Sequence, residues 1–204
     1  SAVYEWNEAK EEFDIDKALG EFHLRYNVAP STQIGVVVAG SVAFDNYRWG
    51  LIPKWAKDNK MAMINARSET INEKPFFKEA FLNFRCLVPV SSFFEWDKAK
   101  TPHLIKLKKK KIFAIAGICS KWKDKDGKEI NTVALLTCEA NEHMQKIHHR
   151  MPVIINKKNY LDWIDGENKD IDKLSKLLKP YDSDKMESYG VSKMVGNPRN
   201  NSIE

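Results

Sequence analysis

Residues 86–96, Cys-Leu-Val-Pro-Val-Ser-Ser-Phe-Phe-Glu-Trp, decide the fold class. Two short runs rich in apolar and aromatic residues, Cys86 to Val90 and Phe93 to Trp96, are parted by only Ser91-Ser92, the pattern of strands joined by a tight turn. It recurs downstream in His103 to Leu107, Ile112 to Ile118 and Thr132 to Thr137, with turns at Lys108 to Lys111 and Asp124 to Gly127. Connections this short leave no room for the crossover helices of a parallel sheet. The expectation is an α+β chain: one domain over residues 1–204 with a curled, mostly antiparallel, barrel-like β core flanked by short helices.

Upstream, Trp6 to Leu19 reads as a helix capped by Asn7, with Glu8, Glu11 and Glu12 complementing its positive end. Ile34 to Ala39 and Val42 to Trp49 read as a hairpin turning at Gly40-Ser41. Asn65 to Thr70 reads as polar and irregular, and Lys74 to Phe84 as a helix with Pro75 in its first turn. Downstream, the expected helices are Glu139 to Ile147, Lys157 to Trp163 and Ile171 to Leu178, with strands at Met151 to Ile155 and Tyr189 to Met194. The polar tail from Gly196 to Asn201 is expected to lie over the surface.

Composition narrows the function classes. The 204 residues are 43% hydrophobic and 30% charged, near the globular average, so disorder and fibrous repeats do not fit. No stretch approaches the ~20 apolar residues of a membrane span, and no membrane partner is expected. A net charge of +5 is compatible with an anionic partner but too small to require one. Cys86, Cys119 and Cys138 are odd in number, widely spaced and set in apolar runs, which reads as buried, reduced thiols of an intracellular, cytoplasmic protein. No metal-ligand spacing emerges among the Cys and His residues; neither a metal nor a cofactor is expected.

Three segments carry more polar chemistry than packing requires. In Ile64-Asn65-Ala66-Arg67-Ser68-Glu69-Thr70, either Arg67 simply pairs with Glu69, or Asn65 orients a reacting group while Arg67 grips a phosphate. In Phe93-Phe94-Glu95-Trp96, Glu95 either faces solvent or enters an aromatic-walled pocket fitted for proton transfer. In His148-His149-Arg150-Met151-Pro152, a His-His-Arg cluster follows a helix and precedes a strand, a common setting for functional groups. Basic and aromatic residues also interleave at Arg48-Trp49, Lys54-Trp55 and Lys121-Trp122-Lys123, which suits stacked bases and phosphates.

Taken together, Arg25 to Pro30, Arg48 to Ala56, Asn65 to Thr70, Arg85 to Pro89, Phe93 to Trp96 and His148 to Pro152 resemble the SOS response-associated peptidase (SRAP) family, in the family's order and across most of the chain. The resemblance implies a monomeric protein that binds abasic sites in single-stranded DNA, near the nucleoid if bacterial. It implies a covalent thiazolidine crosslink through an amino-terminal cysteine, whose amine and thiol capture the ring-opened sugar. By resemblance Asn65 positions the reacting terminus, Glu95 moves protons, and His148 serves as acid in opening the sugar ring. Asn27, Pro30, Trp55, Arg67 and Arg150 match positions along the DNA path. Family members open with Cys-Gly-Arg and an aromatic residue, and Ser1 aligns just after that tetrapeptide. Either an opening segment precedes Ser1 in the full protein, which this alignment favours, or the chain is a variant that binds without thiazolidine chemistry. Two further classes stay open: a thiol (auto)peptidase using His148 with Glu95 or Asn65, and a non-catalytic single-strand-binding module.

Overall fold

The computed structural model describes residues 1–39 and 42–201, so the Gly40-Ser41 turn lies outside the described residues. In chain order the strands are β1 (Lys17–Ala18), β2 (Gln33–Val38), β3 (Ala43–Trp49), β4 (Asn65–Arg67), β5 (Arg85–Val90) and β6 (Phe93–Trp96). They continue as β7 (Pro102–Leu107), β8 (Phe113–Lys123), β9 (Glu129–Glu139), β10 (Arg150–Pro152), β11 (Ile154–Ile155) and β12 (Met186–Gly190). The helices are α1 (Trp6–Phe13), α2 (Pro75–Asn83), α3 (Glu142–Gln145), α4 (Tyr160–Ile164) and α5 (Ile171–Leu177).

The ladder β3-β2-β5-β8-β9 is antiparallel throughout. The tight turn at Asp124 to Gly127 joins β8 to β9, whereas β5 meets β2 and β8 across long excursions, the Ser91-Ser92 turn leading from β5 into the second sheet. The ladder closes on itself where β9 runs parallel to β3, Arg48 opposite Thr132 and Trp49 opposite Val133. The seam continues one residue further, the Gly50 N–H donating to the Val133 carbonyl at 2.9 Å. A closed ring leaves those five strands no open edge along the seam. The barrel is therefore mixed: β1 also pairs parallel with β3, and β4 with β9. Tight turns fix direction only between neighbours in sequence; β3 and β9 meet after a long excursion that leaves either direction open.

Close approach inside the ring demands a glycine. A Cβ on Gly117 would sit 2.6 Å from Cys86 Sγ and 3.2 Å from the methyl groups of Val88 and Val133. Cys86 and Cys119 lie in the same interior with their sulfurs 3.0 Å apart. Outside, α2 and α4 pack on β5 and β8. The buried Arg85 guanidinium gathers their ends, donating to the carbonyls of Phe81 (2.6 Å), Leu82 (2.9 Å), Trp163 (2.6 Å), Asn168 (2.9 Å) and Asp165. All but that of Asn168, in the loop before α5, are carbonyls a helix leaves unpaired at its C-terminus, and a cation suits that pole.

β12, β7 and β6 form a second, antiparallel sheet. Four expectations need correction. α1 stops at Phe13, because Asp14 turns left-handed (φ 50°), and it is capped by a Glu5–Glu8 box, not by Asn7. Residues 65–67 form a strand rather than irregular chain, since β9 offers them an edge. The helix expected over 139–147 shrinks to α3, because β9 runs on through Glu139 to pair with β10. The last strand is β12; Lys193–Gly196 is a 3-10 turn that Ser192 caps through its hydroxyl.

The barrel interior makes a testable claim. Gly117→Ala is expected to destabilise the protein by about 1–3 kcal/mol through overpacking, and Cys86→Ala in the same chain to recover part of that loss. Chemical denaturation of the single and double variants checks both; a neutral Gly117→Ala contradicts the interior packing.

Candidate functional site

Strand alternation sets the first side chains. On β4, Ala66 is buried while Asn65 and Arg67 on either side are exposed. Among the described residues the Asn65 amide makes no side-chain hydrogen bond and Arg67 no ion pair, so both are available to a ligand. The Trp49 indole N–H donates to the Ile64 carbonyl at 2.9 Å and fixes the approach to Asn65.

Glu95, on β6, enters an aromatic-walled cleft of about 420 Å³ that Asn65, Asn27, Pro30, Phe94 and Trp96 also line. Its side chain is 27% exposed. Of the two orientations left open by periodicity, the structure takes the pocket. His148 follows α3, its backbone N–H donating to the Met144 carbonyl at 2.8 Å. Its Nδ1 stands 3.8 Å from Glu95 Oε2 and accepts the Arg150 backbone N–H at 3.1 Å. The same Nδ1 lies 3.2 Å from the Arg150 carbonyl oxygen, so the Arg150 backbone orients the ring on this side. A ring N–H, a carboxylate and an unpaired amide thus converge on one wall of the molecule, a set able to donate, accept and orient a proton.

Arg150 holds that set together. It donates to both Glu69 carboxylate oxygens, at 2.7 and 2.9 Å, and to the Thr137 carbonyl at 2.8 Å. These bonds push the Glu69 carboxyl below the usual carboxylate range and raise the guanidinium in turn. The pairing of Glu69 with Arg67 expected as the plain structural reading is corrected: neighbours on a short strand and turn diverge, and the two-pronged partner arrives from β10. Arg150 therefore fastens the segment after Asn65 to the segment after His148.

Asn27 is also engaged. Its Nδ2 donates to the carbonyls of Val195 (2.8 Å) and Asn197 (3.2 Å), and Asn201 Oδ1 accepts the backbone N–H groups of Tyr26 and Asn27. The tail so clasped supplies Val195, Gly196 and Pro198 to the cleft wall, a contribution that its polar composition did not signal. Trp55, 58% exposed, stands apart, lining with Lys54, Phe76 and Lys123 a cavity of about 690 Å³ that shares no lining residue with the cleft.

All three thiols are buried. Burial raises Cys119 and pushes Cys138 up to about 12, and none bonds to His148 among the described residues. The described residues contain no helix long and apolar enough to cross a membrane.

A family model for the SOS response associated peptidase (SRAP) matches residues 1–198. The chain belongs to the SRAP family. It is 45% identical over 210 residues to the Abasic site processing protein YoqW of Bacillus subtilis (strain 168), a match covering 98% of this chain and 94% of that relative. A crystal structure of a protein from Bacteroides thetaiotaomicron matches this SRAP chain with a TM-score of 0.75 and 32% identity, over 80% of this chain and 75% of that one. Another, from Bordetella bronchiseptica, has a TM-score of 0.83 at 20% identity over 94% and 97%, a likeness of fold.

Glu69 supports a pH prediction. A carboxyl depressed in the folded state contributes stability fully above its unfolded value of about 4.3 and loses it as pH falls through the folded value. The side chain is 43% exposed, so screening limits the contribution to about 1 kcal/mol or less. Glu69→Gln is expected to lower stability by that amount at pH 7, with the gap to the unaltered protein closing in strong acid. Urea titrations at both extremes check it; a gap undiminished in acid contradicts it.

Proposed function

We propose that this chain binds single-stranded DNA at abasic sites and processes them in the cleft between β4, β6 and the segment after α3. The observation that carries the reading is the meeting of Asn65 and Glu95 in one cleft with His148 Nδ1 3.8 Å from Glu95 Oε2. Membership of the SRAP family and the abasic-site-processing name of its relative YoqW support it. An abasic sugar exists partly as a ring-opened aldehyde, and an amine captures that aldehyde only with help in moving protons. The His148 imidazole donates a proton to the departing ring oxygen, Glu95 takes protons from the attacking amine, and the Asn65 amide orients the reacting terminus. Arg67, Pro30 and Trp96 lie where a strand would pass, and Trp55 extends the path beyond the cleft. Arg150, committed to Glu69 and Thr137, serves chiefly as a positioning residue.

The covalent step, on this reading, is closure of a thiazolidine: the α-amine of an amino-terminal cysteine condenses with the aldehyde, releasing water, and the thiol then adds to the C=N bond. The buried Cys86, Cys119 and Cys138 have no free α-amine and do not serve. Ser1 lies in the same cleft as Asn65 and Glu95, and its hydroxyl shares hydrogen bonds with Ser91 (3.1 Å) and Ser92 (2.5 Å). A cysteine joined a few residues ahead of Ser1, at about 3.5 Å per residue, stays within reach of those groups.

The test uses the chain with Cys-Gly-Arg-Phe placed ahead of Ser1 and an oligonucleotide bearing one abasic site. Denaturing electrophoresis is expected to show an adduct on the abasic strand and none on the intact strand. Glu95→Gln and His148→Ala are each expected to slow its formation about 10²–10⁴-fold, the range for a lost proton-transfer group. Absence of any adduct overturns the covalent step. Equal affinity for abasic and intact strands overturns the reading itself.

A further inference from the structure

An antiparallel sheet with one face on the core ordinarily turns polar side chains to water on the other. The β6-β7-β12 sheet does not. Its inner face buries Phe93, Ile105, Leu107 and Met186. Its outer face carries a cross-strand row, Phe94 opposite Leu104 and Leu104 opposite Tyr189, that is only partly covered, with Tyr189 50% exposed. A groove of about 920 Å³ runs over that row. Lys106 places its Nζ 5.7 Å from the centre of the Tyr189 ring while pairing with Glu187 at 3.2 Å.

The groove is bordered by the lysines of the turn at Lys108 to Lys111. Lys111 is neutralised by Glu8 at 2.9 Å, and Lys110 stands 3.9 Å from Glu12. Among the described residues Lys108 Nζ donates to the Asp184 carbonyl, at 2.7 Å, and Lys109 pairs with no acid. Lys109 is thus free and Lys108 rests on a neutral carbonyl, both at the edge of an aromatic floor. Asn27, Ser92, Phe94 and Val195 line both this groove and the cleft, so the two are continuous.

We propose that the outer face of the β6-β7-β12 sheet is a second binding site for single-stranded DNA, a platform for nucleotides flanking the lesion. Tyr189 and Phe94 lie under bases, and Lys108 and Lys109 meet phosphates. The inference rests on the function proposed above. Rings and cations side by side match the two parts of a single-strand ligand, whose bases stack without regard to sequence. An acidic peptide would use the lysines and leave the rings idle.

The test measures binding of two oligonucleotides centred on an abasic site, one short enough to fill only the cleft and one extending well past it on both sides. The variants are Tyr189→Ala and the double Lys108→Glu, Lys109→Glu, with thermal melting to confirm the fold. For the long strand, Tyr189→Ala is expected to weaken binding on the order of tenfold. The double variant is expected to flatten the salt dependence by about 0.7 per lysine. Short-strand affinity and the preference for an abasic over an intact site are expected to stay unchanged. Loss on both strands alike, or on neither, overturns the platform; so does a long strand sensitive to the lysines and indifferent to Tyr189, the result an acidic ligand would give. A missing abasic preference in the unaltered protein instead overturns the function proposed above, while the length dependence still judges the platform.

Discussion

The parallel seam between β3 and β9 is the constraint on which the rest depends. Two residue pairs, Arg48 with Thr132 and Trp49 with Val133, turn an open ladder into a ring. They also fix what β9 can carry. Along one edge β9 meets first β3 and then β4; along the other it meets first β8 and then β10. Asn65 rides on β4, and His148 sits just ahead of β10, so both hang on the far half of the same strand. The Arg150–Glu69 pair then bolts the two attachments together across it.

Much of this was legible in the sequence, because it rests on local physics. The tight turn at Asp124 to Gly127 marks β8 and β9 as antiparallel neighbours, and Pro75 opens α2 where the sequence places it. What could not be read depends on partners far away in the chain. Nothing local marks residues 65–67 as a strand, since its stability comes from β9. Nothing local separates Glu69's neighbour Arg67 from its actual partner Arg150, 81 residues on. The early end of α1 turns on Asp14 adopting a left-handed conformation, and the next residues are drawn into pairing with β3.

The candidate site shows the same division. Three short motifs pointed to Asn65, Glu95 and His148, and the cleft joins Asn65 to Glu95, with His148 against Glu95. Alternation along β6 left Glu95 undecided; the second sheet decides it by burying Phe93, on Glu95's own face, in the core. Asn27, read as a strand-binding position, first holds the tail that walls the cleft, which gives residues near opposite ends of the sequence one shared task. Trp55 lines a separate cavity, so any ligand touching both it and Glu95 must be extended.

The most direct test of this account follows backbone amide resonances while a single strand carrying a stable tetrahydrofuran abasic analogue is titrated in. The account predicts that shifts concentrate at Asn65, Glu95 and His148 and along the adjoining part of β9. Shifts confined to the other cavity, at Lys54, Lys121 and Lys123, with the cleft residues unmoved, would contradict it.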